Sequence, residues 1–150
     1  MIEFEHLCEL KVDVGEIVTM GPGPLGERRI VAITGGTFEG PRLRGTVLPG
    51  GNDWQIVRTD GVLDVDARYA LLTEAGEAIR VVSQGYRHGP PAVMAALGRG
   101  EDVPPDRYFF RTVLRFETGA ADLAWLNKTI AIARAERKAR QVLLSAYALL

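Results

Sequence analysis

Cysteine and histidine are scarce in this chain: Cys8, His6 and His88 are the whole supply in 150 residues. A single cysteine forms no intrachain disulfide, and a lone thiol suits a reducing compartment, so a cytoplasmic location is expected. Cys8 itself reads as a small apolar strand residue. With no cysteine pair and two isolated histidines, no zinc-type ligand set can be assembled, and no metal is expected. Charge of either sign is also without excess: 18 Lys and Arg stand against 19 Asp and Glu, for a net charge of −1 and a pI near 6.1. Bulk charge therefore recruits neither nucleic acid nor a membrane surface. No run of about 18 apolar residues is present to span a bilayer. The opening "MIEFEHLCEL" has no basic region and carries acids among its apolar residues, unlike a signal peptide.

What is plentiful is alternation and punctuation. At 47% apolar and 25% charged, the composition is that of an ordinary globular protein, and 150 residues suit one domain, residues 1–150. In "LCELKVDVG", Leu10, Val12 and Val14 alternate with Lys11 and Asp13. "PRLRGTVL" and "RYFFRTVLRFET" alternate in the same way, and "RRIVAIT", "WQIVRT", "LDVDARYALLT" and "EAIRVVSQGY" read as further strands. Turn signals such as "GPGPLGE", "PGGND", Asp60-Gly61 and "EAG" separate these runs. Strands recurring roughly every 8–12 residues point to a sandwich or barrel. "GPPAVMAALGRG" has the proline-first, glycine-last asymmetry of a short helix, and "GAADLAWLNK" suits one or two helical turns. The tail "AIARAERKARQVLLSAYALL" is built of helix formers, and propensity alone would make it one long helix.

The segment "GGTFEGPRLRG", Gly35 to Gly45, looks most like a motif. It is not a phosphate loop: Gly40 is followed by Pro41 and Arg42 rather than by Gly-Lys-Ser/Thr. Nor does it open a helix, as a dinucleotide fingerprint does. No nucleotide or other cofactor is therefore expected. The segment reads as a sheet corner, its glycines supplying positive φ or close backbone approach, with Gly45 at a bulge or bend.

The runs "RRIVAITGGTFEGPRLRGTVLPGGNDWQIVR", "LDVDARYALLTEAGEAIRV", "GYRHGPP", "YFFRTVLRFETG" and "AWLN", in that order, resemble the family called domain of unknown function 3237, or uncharacterised protein family 0311. The resemblance runs from about Leu7 to Leu150 and is most specific from Thr34 to Trp54. It implies a mainly β fold, a single antiparallel calycin-like β-barrel with one or two short helices. It implies no activity. It also turns the tail into a hairpin, "KTIAIARA" and "QVLLSAYALL" around a polar turn, because the last strands of a closed barrel must cover the first edge.

A barrel of about eight strands can enclose one small ligand. Its polar inward residues would carry any chemistry. Trp54, at a strand start, can stack on a planar ligand or serve as a rim aromatic. Asp53 beside it is a turn residue or a general base. Asp66 and Arg68 share one strand face and Tyr69 the other; the first two form either an outward ion pair or an inward pair holding a polar ligand. Arg111, Arg115 and Glu117 share a polar face, and inward arginines there would favour a carboxylate, enolate or phenolate. His88 is a candidate acid–base group or a loop residue. Glu39 either reaches a ligand at the mouth or caps its own turn.

The expected function is a small-molecule-binding barrel without a cofactor, doing isomerase, cyclase or lyase chemistry on an organic acid, aromatic or polyketide-like compound. Asp66, Asp53 and His88 are the candidate catalytic residues. Glu39, Trp54, Arg68, Tyr69, Arg111 and Glu117 are the candidate ligand contacts. This reading expects Trp54, Asp66, Arg68 and Arg111 to converge on the lumen. A non-catalytic carrier would instead line it with Leu43, Val47 and Ile56, and a structural oligomer would fill it. Phe109, Phe110 and Tyr147 look exposed and suggest a homodimer.

Overall fold

The computed structural model describes residues 1–150. Nine strands make one antiparallel sheet that closes on itself. A long hairpin, β1 (Phe4–Gly23) and β2 (Gly26–Glu39), starts it. The next place in the barrel is shared by two short strands. β3 (Arg44–Val47) pairs with Thr37–Glu39 of β2, and β4 (Gly51–Val57) pairs with Glu27–Ile33 of β2. Both then pair with β5 (Leu63–Thr73). Next come β6 (Ala78–His88), β7 (Phe109–Glu117), β8 (Ile130–Arg137) and β9 (Gln141–Leu149), and β9 pairs back onto β1. No long edge is left to template another chain.

The alternation of the sequence is the alternation of the barrel wall. Leu63, Val65, Tyr69 and Leu71 of β5, and Phe110, Thr112, Leu114 and Phe116 of β7, are buried. Ala131, Ala133 and Ala135 of β8 and Ala146 of β9 point the same way and are essentially inaccessible. These small side chains share one core cluster with Leu10, Phe38, Leu114 and Phe116, so small faces large and this part of the interior packs closely. Phe110 belongs to this core at 5% exposure and is not a surface aromatic; Phe109 and Tyr147 are exposed as expected.

The tail is the hairpin the barrel requires. Its helix formers are overridden because Ala131, Ala133 and Ala135 can be buried together only at a period of two. Its turn needs no glycine. The Lys138 amide donates to the Gln141 carbonyl at 2.8 Å, and no non-glycine residue has a positive φ.

The two ends of the barrel differ. One is plugged by a 3-10 segment, Ala121–Lys128, which buries Leu123 and Leu126. Asn127 ties it down by accepting from the Thr118 amide and donating to the Thr118 carbonyl. At the other end lies α1 (Pro91–Gly98), which buries Leu97. That end also carries the β4–β5 and β8–β9 turns. The glycine-rich stretch forms the wall between β1, β3 and β5. An added Cβ at Gly45 would sit 2.0 Å from the Leu72 carbonyl oxygen, so backbone passes against backbone there.

Candidate functional site

Polar side chains reach the interior in two layers. The inner layer is Tyr69, Ser83 and Thr112, and with Val12, Val14, Ile33, Asp53, Val65 and Phe110 among others they line a cavity of about 40 Å³. The Ser83 hydroxyl donates to Thr112 at 2.9 Å, while the Tyr69 hydroxyl has no hydrogen-bond partner. Burial, with Cys8 and Asp53 adding to it, raises the Tyr69 pKa, so the phenol stays neutral. Cys8 is buried on β1, and burial pushes its thiol up to about 12, in keeping with an apolar packing role.

The outer layer lies nearer the α1 end. It consists of Arg29 on β2, Gln55 on β4, Arg87 on β6 and Arg137 on β8, with Tyr108 just before β7. Asp53 joins the layers: it lines the inner cavity and bonds outward to Gln55. Sheet register explains the pairings. Arg29 stands opposite Gln55 across the β2–β4 ladder, so their side chains emerge side by side. Arg29 donates from Nε and Nη2 to Gln55 Oε1 at 3.2 and 2.7 Å. That fixes the amide, whose Nε2 donates to Asp53 Oδ2 at 2.8 Å. Asp53 Oδ1 accepts from the Asp66 amide at 3.0 Å. The Gln55 amide and the Asp66 backbone amide both donate to the carboxylate, and Arg29 holds the first of them in place.

Burial nevertheless dominates. It raises the Asp53 pKa above the usual value of 3.8, while the Gln55 and Asp66 hydrogen bonds and the charge of Arg87 act against it. Arg87 is 6% exposed, and its Nε has no partner. Burial and the positive charges of Arg137 and Arg29 lower it to about 10, so it stays protonated at neutral pH. Arg137 and Arg29 are lowered chiefly by burial as well. The Arg137 amide donates to the Tyr108 hydroxyl at 2.9 Å, fixing that ring at the rim. Beside Arg137 a recess of about 330 Å³ is walled by Val14–Ile17, Leu97 and the β8–β9 turn. Val14 lines both this recess and the inner cavity.

The relay gives a direct check on Gln55. Gln55→Leu removes one acceptor from Arg29 and one donor from Asp53. Stability is expected to drop by about 1–3 kcal/mol, because two partly buried groups lose their partner. The Asp53 pKa is expected to rise further, since a bond that favours the anion is gone. Urea unfolding and a carboxyl-carbon NMR titration measure the two effects. An unchanged Asp53 titration would show that the Gln55 bond does not act on the carboxylate.

Of the sequence candidates, Asp53 and Tyr69 face the interior. The expected convergence of Trp54, Asp66, Arg68 and Arg111 on the lumen does not occur, because all four have the outward parity of their strands. Trp54 is 43% exposed. Asp66 and Arg68 form an ion pair at 3.4 Å on the outer surface, joined by Gln84. Arg111 lies over the Phe109 ring and donates to the Phe110 carbonyl. Glu117 is exposed on the outer face of β7. His88 stacks on Phe109 outside the barrel, with centroids 4.7 Å apart. Glu39 pairs with Arg44 on the surface. Leu43 and Val47, the apolar lining of a carrier, are buried in the core, and Ile56 is only partly buried.

Arg29, Gln55, Arg87 and Arg137 were not anticipated. Their signal is a polar residue in phase with an apolar run. Ile79, Val81, Ser83 and Arg87 share one parity, as do Arg29, Val31 and Ile33.

Comparison with known proteins places this architecture. A UPF0311 protein of Bradyrhizobium diazoefficiens is 37% identical over 146 residues, 97% of this chain and 95% of its own length. The crystal structure of a beta-barrel like protein from Acinetobacter baumannii superposes with a TM-score of 0.88 at 40% identity, covering 100% of this chain and 97% of that one. An enzyme from Penicillium herquei shares the fold with a TM-score of 0.76 at 20% identity, over 99% and 95% of the two chains. The profile described as "Protein of unknown function (DUF3237)" matches residues 2–149. On the strength of that match, and of the Bradyrhizobium relative, the chain belongs to the DUF3237 family and folds as its β-barrel.

Proposed function

We propose that the barrel binds a small organic acid, aromatic or polyketide-like compound at its α1 end and transfers a proton on it, in isomerase, cyclase or lyase fashion. The observation that carries this reading is Asp53: a half-buried carboxylate that lines the inner cavity, raised in pKa, aimed by a two-step relay and facing three arginines. A carboxylate tuned upward by burial is a better base near neutral pH than an exposed one. In the proposed step, ionised Asp53 takes a proton from carbon or hydroxyl. The electron pair left behind delocalises onto a substrate oxygen, which the guanidiniums stabilise. No prosthetic group is needed for this step.

The inner cavity, about 40 Å³, is far smaller than the roughly 300–1,000 Å³ of typical ligand sites. Only the reacting end of a ligand enters it past Asp53. The body occupies the mouth and the recess beside Arg137. The Penicillium herquei protein, called an enzyme, supports a catalytic use of this barrel.

The test is proton exchange. Enolisable aromatic acids and 1,3-dicarbonyl acids are incubated with the protein in D₂O, and loss of the C–H signal is followed by NMR. Exchange that depends on Asp53 supports the reading. Binding without exchange would leave a carrier of the same ligands.

A further inference from the structure

We propose that the mouth of the barrel is built for a dianion: an organic ligand bearing two negatively charged oxygen groups, one of them held by Arg87. This rests on the small-molecule reading above and names its ligand class.

Charge counting comes first. Arg29, Arg87 and Arg137 act on one another electrostatically, and Asp53 is the carboxylate that acts on all three. Glu27, whose carboxylate accepts from Thr19, acts on Arg29 more strongly than Asp53 does, so Arg87 and Arg137 are left to share Asp53. Two guanidiniums sharing one carboxylate leave positive charge in excess at the mouth. Bringing like charges together out of water is costly, and a fold keeps such a cluster at a binding site more readily than in a core.

Donor counting agrees. Arg29 has committed Nε and Nη2 to Gln55, which makes it a fixed positive wall. Arg137 reaches only the Ala139 carbonyl, at 3.4 Å. Arg87, more than nine-tenths buried, leaves Nε without an acceptor. An unsatisfied buried N–H on a charged group is among the costlier defects a fold can carry. A ligand oxygen relieves it, and the fork of a guanidinium suits the paired oxygens of a carboxylate. The Arg87 guanidinium lies over the Phe110 ring, 5.6 Å from its centroid, and Val65, Ser83 and Thr112 line the cavity below.

Calorimetric titration with three probes of one shape tests the proposal: phthalate as dianion, benzoate as monoanion, benzamide as neutral control. Phthalate is expected to bind at least about tenfold tighter than benzoate, the scale of one added charge-assisted bond, and benzamide not measurably. Arg87→Met should erase the preference of phthalate over benzoate, and Arg87→Lys should restore part of it. If Arg87→Met does not fold, Arg137→Met at the half-buried rim carries the test and should reduce the preference. Equal affinity for phthalate and benzoate, a preference that survives these substitutions, or no binding of any probe would overturn the proposal. Asp53→Asn separates the two readings. Removing a negative charge should tighten phthalate binding whether or not Asp53 is a base. Dianion binding without Asp53-dependent proton exchange would sink the acid–base reading alone. Asp53-dependent exchange with no dianion preference would sink this inference alone.

Discussion

Asp53→Asn is expected to slow proton exchange on any active ligand by about 10²–10⁴-fold, the usual contribution of a positioned general base. The substitution is nearly isosteric and keeps an oxygen for the Asp66 amide. It also places an amide N–H against the Gln55 Nε2, which Arg29 holds in a donor-forward orientation. Two effects of pH separate catalysis from structure. Exchange requires the ionised carboxylate, so the acid limb of the rate profile is expected above the ordinary Asp value of 3.8. The variant should lack that limb. Stability runs the other way. A folded-state pKa raised above the unfolded one favours the protonated form in the fold. Its contribution is therefore complete below the unfolded value and lost as pH rises through the folded one. Wild type should lose that increment on going from acid towards neutral pH, while the variant should not. An exchange rate unchanged in Asp53→Asn would remove Asp53 from the mechanism.

The wall of the barrel was legible in the sequence, and most of the polar interior beyond Asp53 and Tyr69 was not, for one physical reason. Period two says which residues share a face but not which face is inside. In β5 the apolar phase of Leu63, Val65, Tyr69 and Leu71 is the buried one, so Asp66 and Arg68 are outside by parity alone. Charged residues that lie in the apolar phase are the informative exceptions. Arg87 continues the run Ile79, Val81, Ser83, and Arg137 continues Ala131, Ala133, Ala135. Each sits at the strand end where an apolar run meets solvent, and a local reading takes it for a strand terminus. Only closure of the sheet shows that these ends meet at one mouth. Asp53 is among the sequence candidates, but its place in a strand is masked. "GGND" reads as a turn, yet β4 already begins at Gly51, which puts Asp53 in the ladder opposite Val31 and Ala67. The C-terminal hairpin shows local propensity giving way to closure, since an open β1 edge costs more than the mild β-aversion of a few alanines and arginines.

Gly36→Ala is expected to destabilise the fold by at least about 3 kcal/mol, a large share of the roughly 5–15 kcal/mol available to a domain. Gly36 has φ +134°, and it pairs with Val12 across the β1–β2 ladder. A Cβ there would stand 2.0 Å from the Lys11 carbonyl oxygen. That atom is backbone in a core hairpin and cannot swing aside. Relief would require moving β1 outward, where Leu10, Val12 and Val14 pack the interior. Gly50→Ala isolates the backbone part of the cost. Gly50 also has a positive φ, +106°, in the turn before β4, but nothing lies within 4 Å of its added Cβ. Its substitution should cost only about 1–2 kcal/mol of strain. Urea unfolding of both variants, with unchanged slopes, reads the difference as the close approach of β1 to β2. Equal losses would mean that Gly36 is there for its dihedral angle alone, and that the glycine-rich stretch does not set how closely the two strands pass.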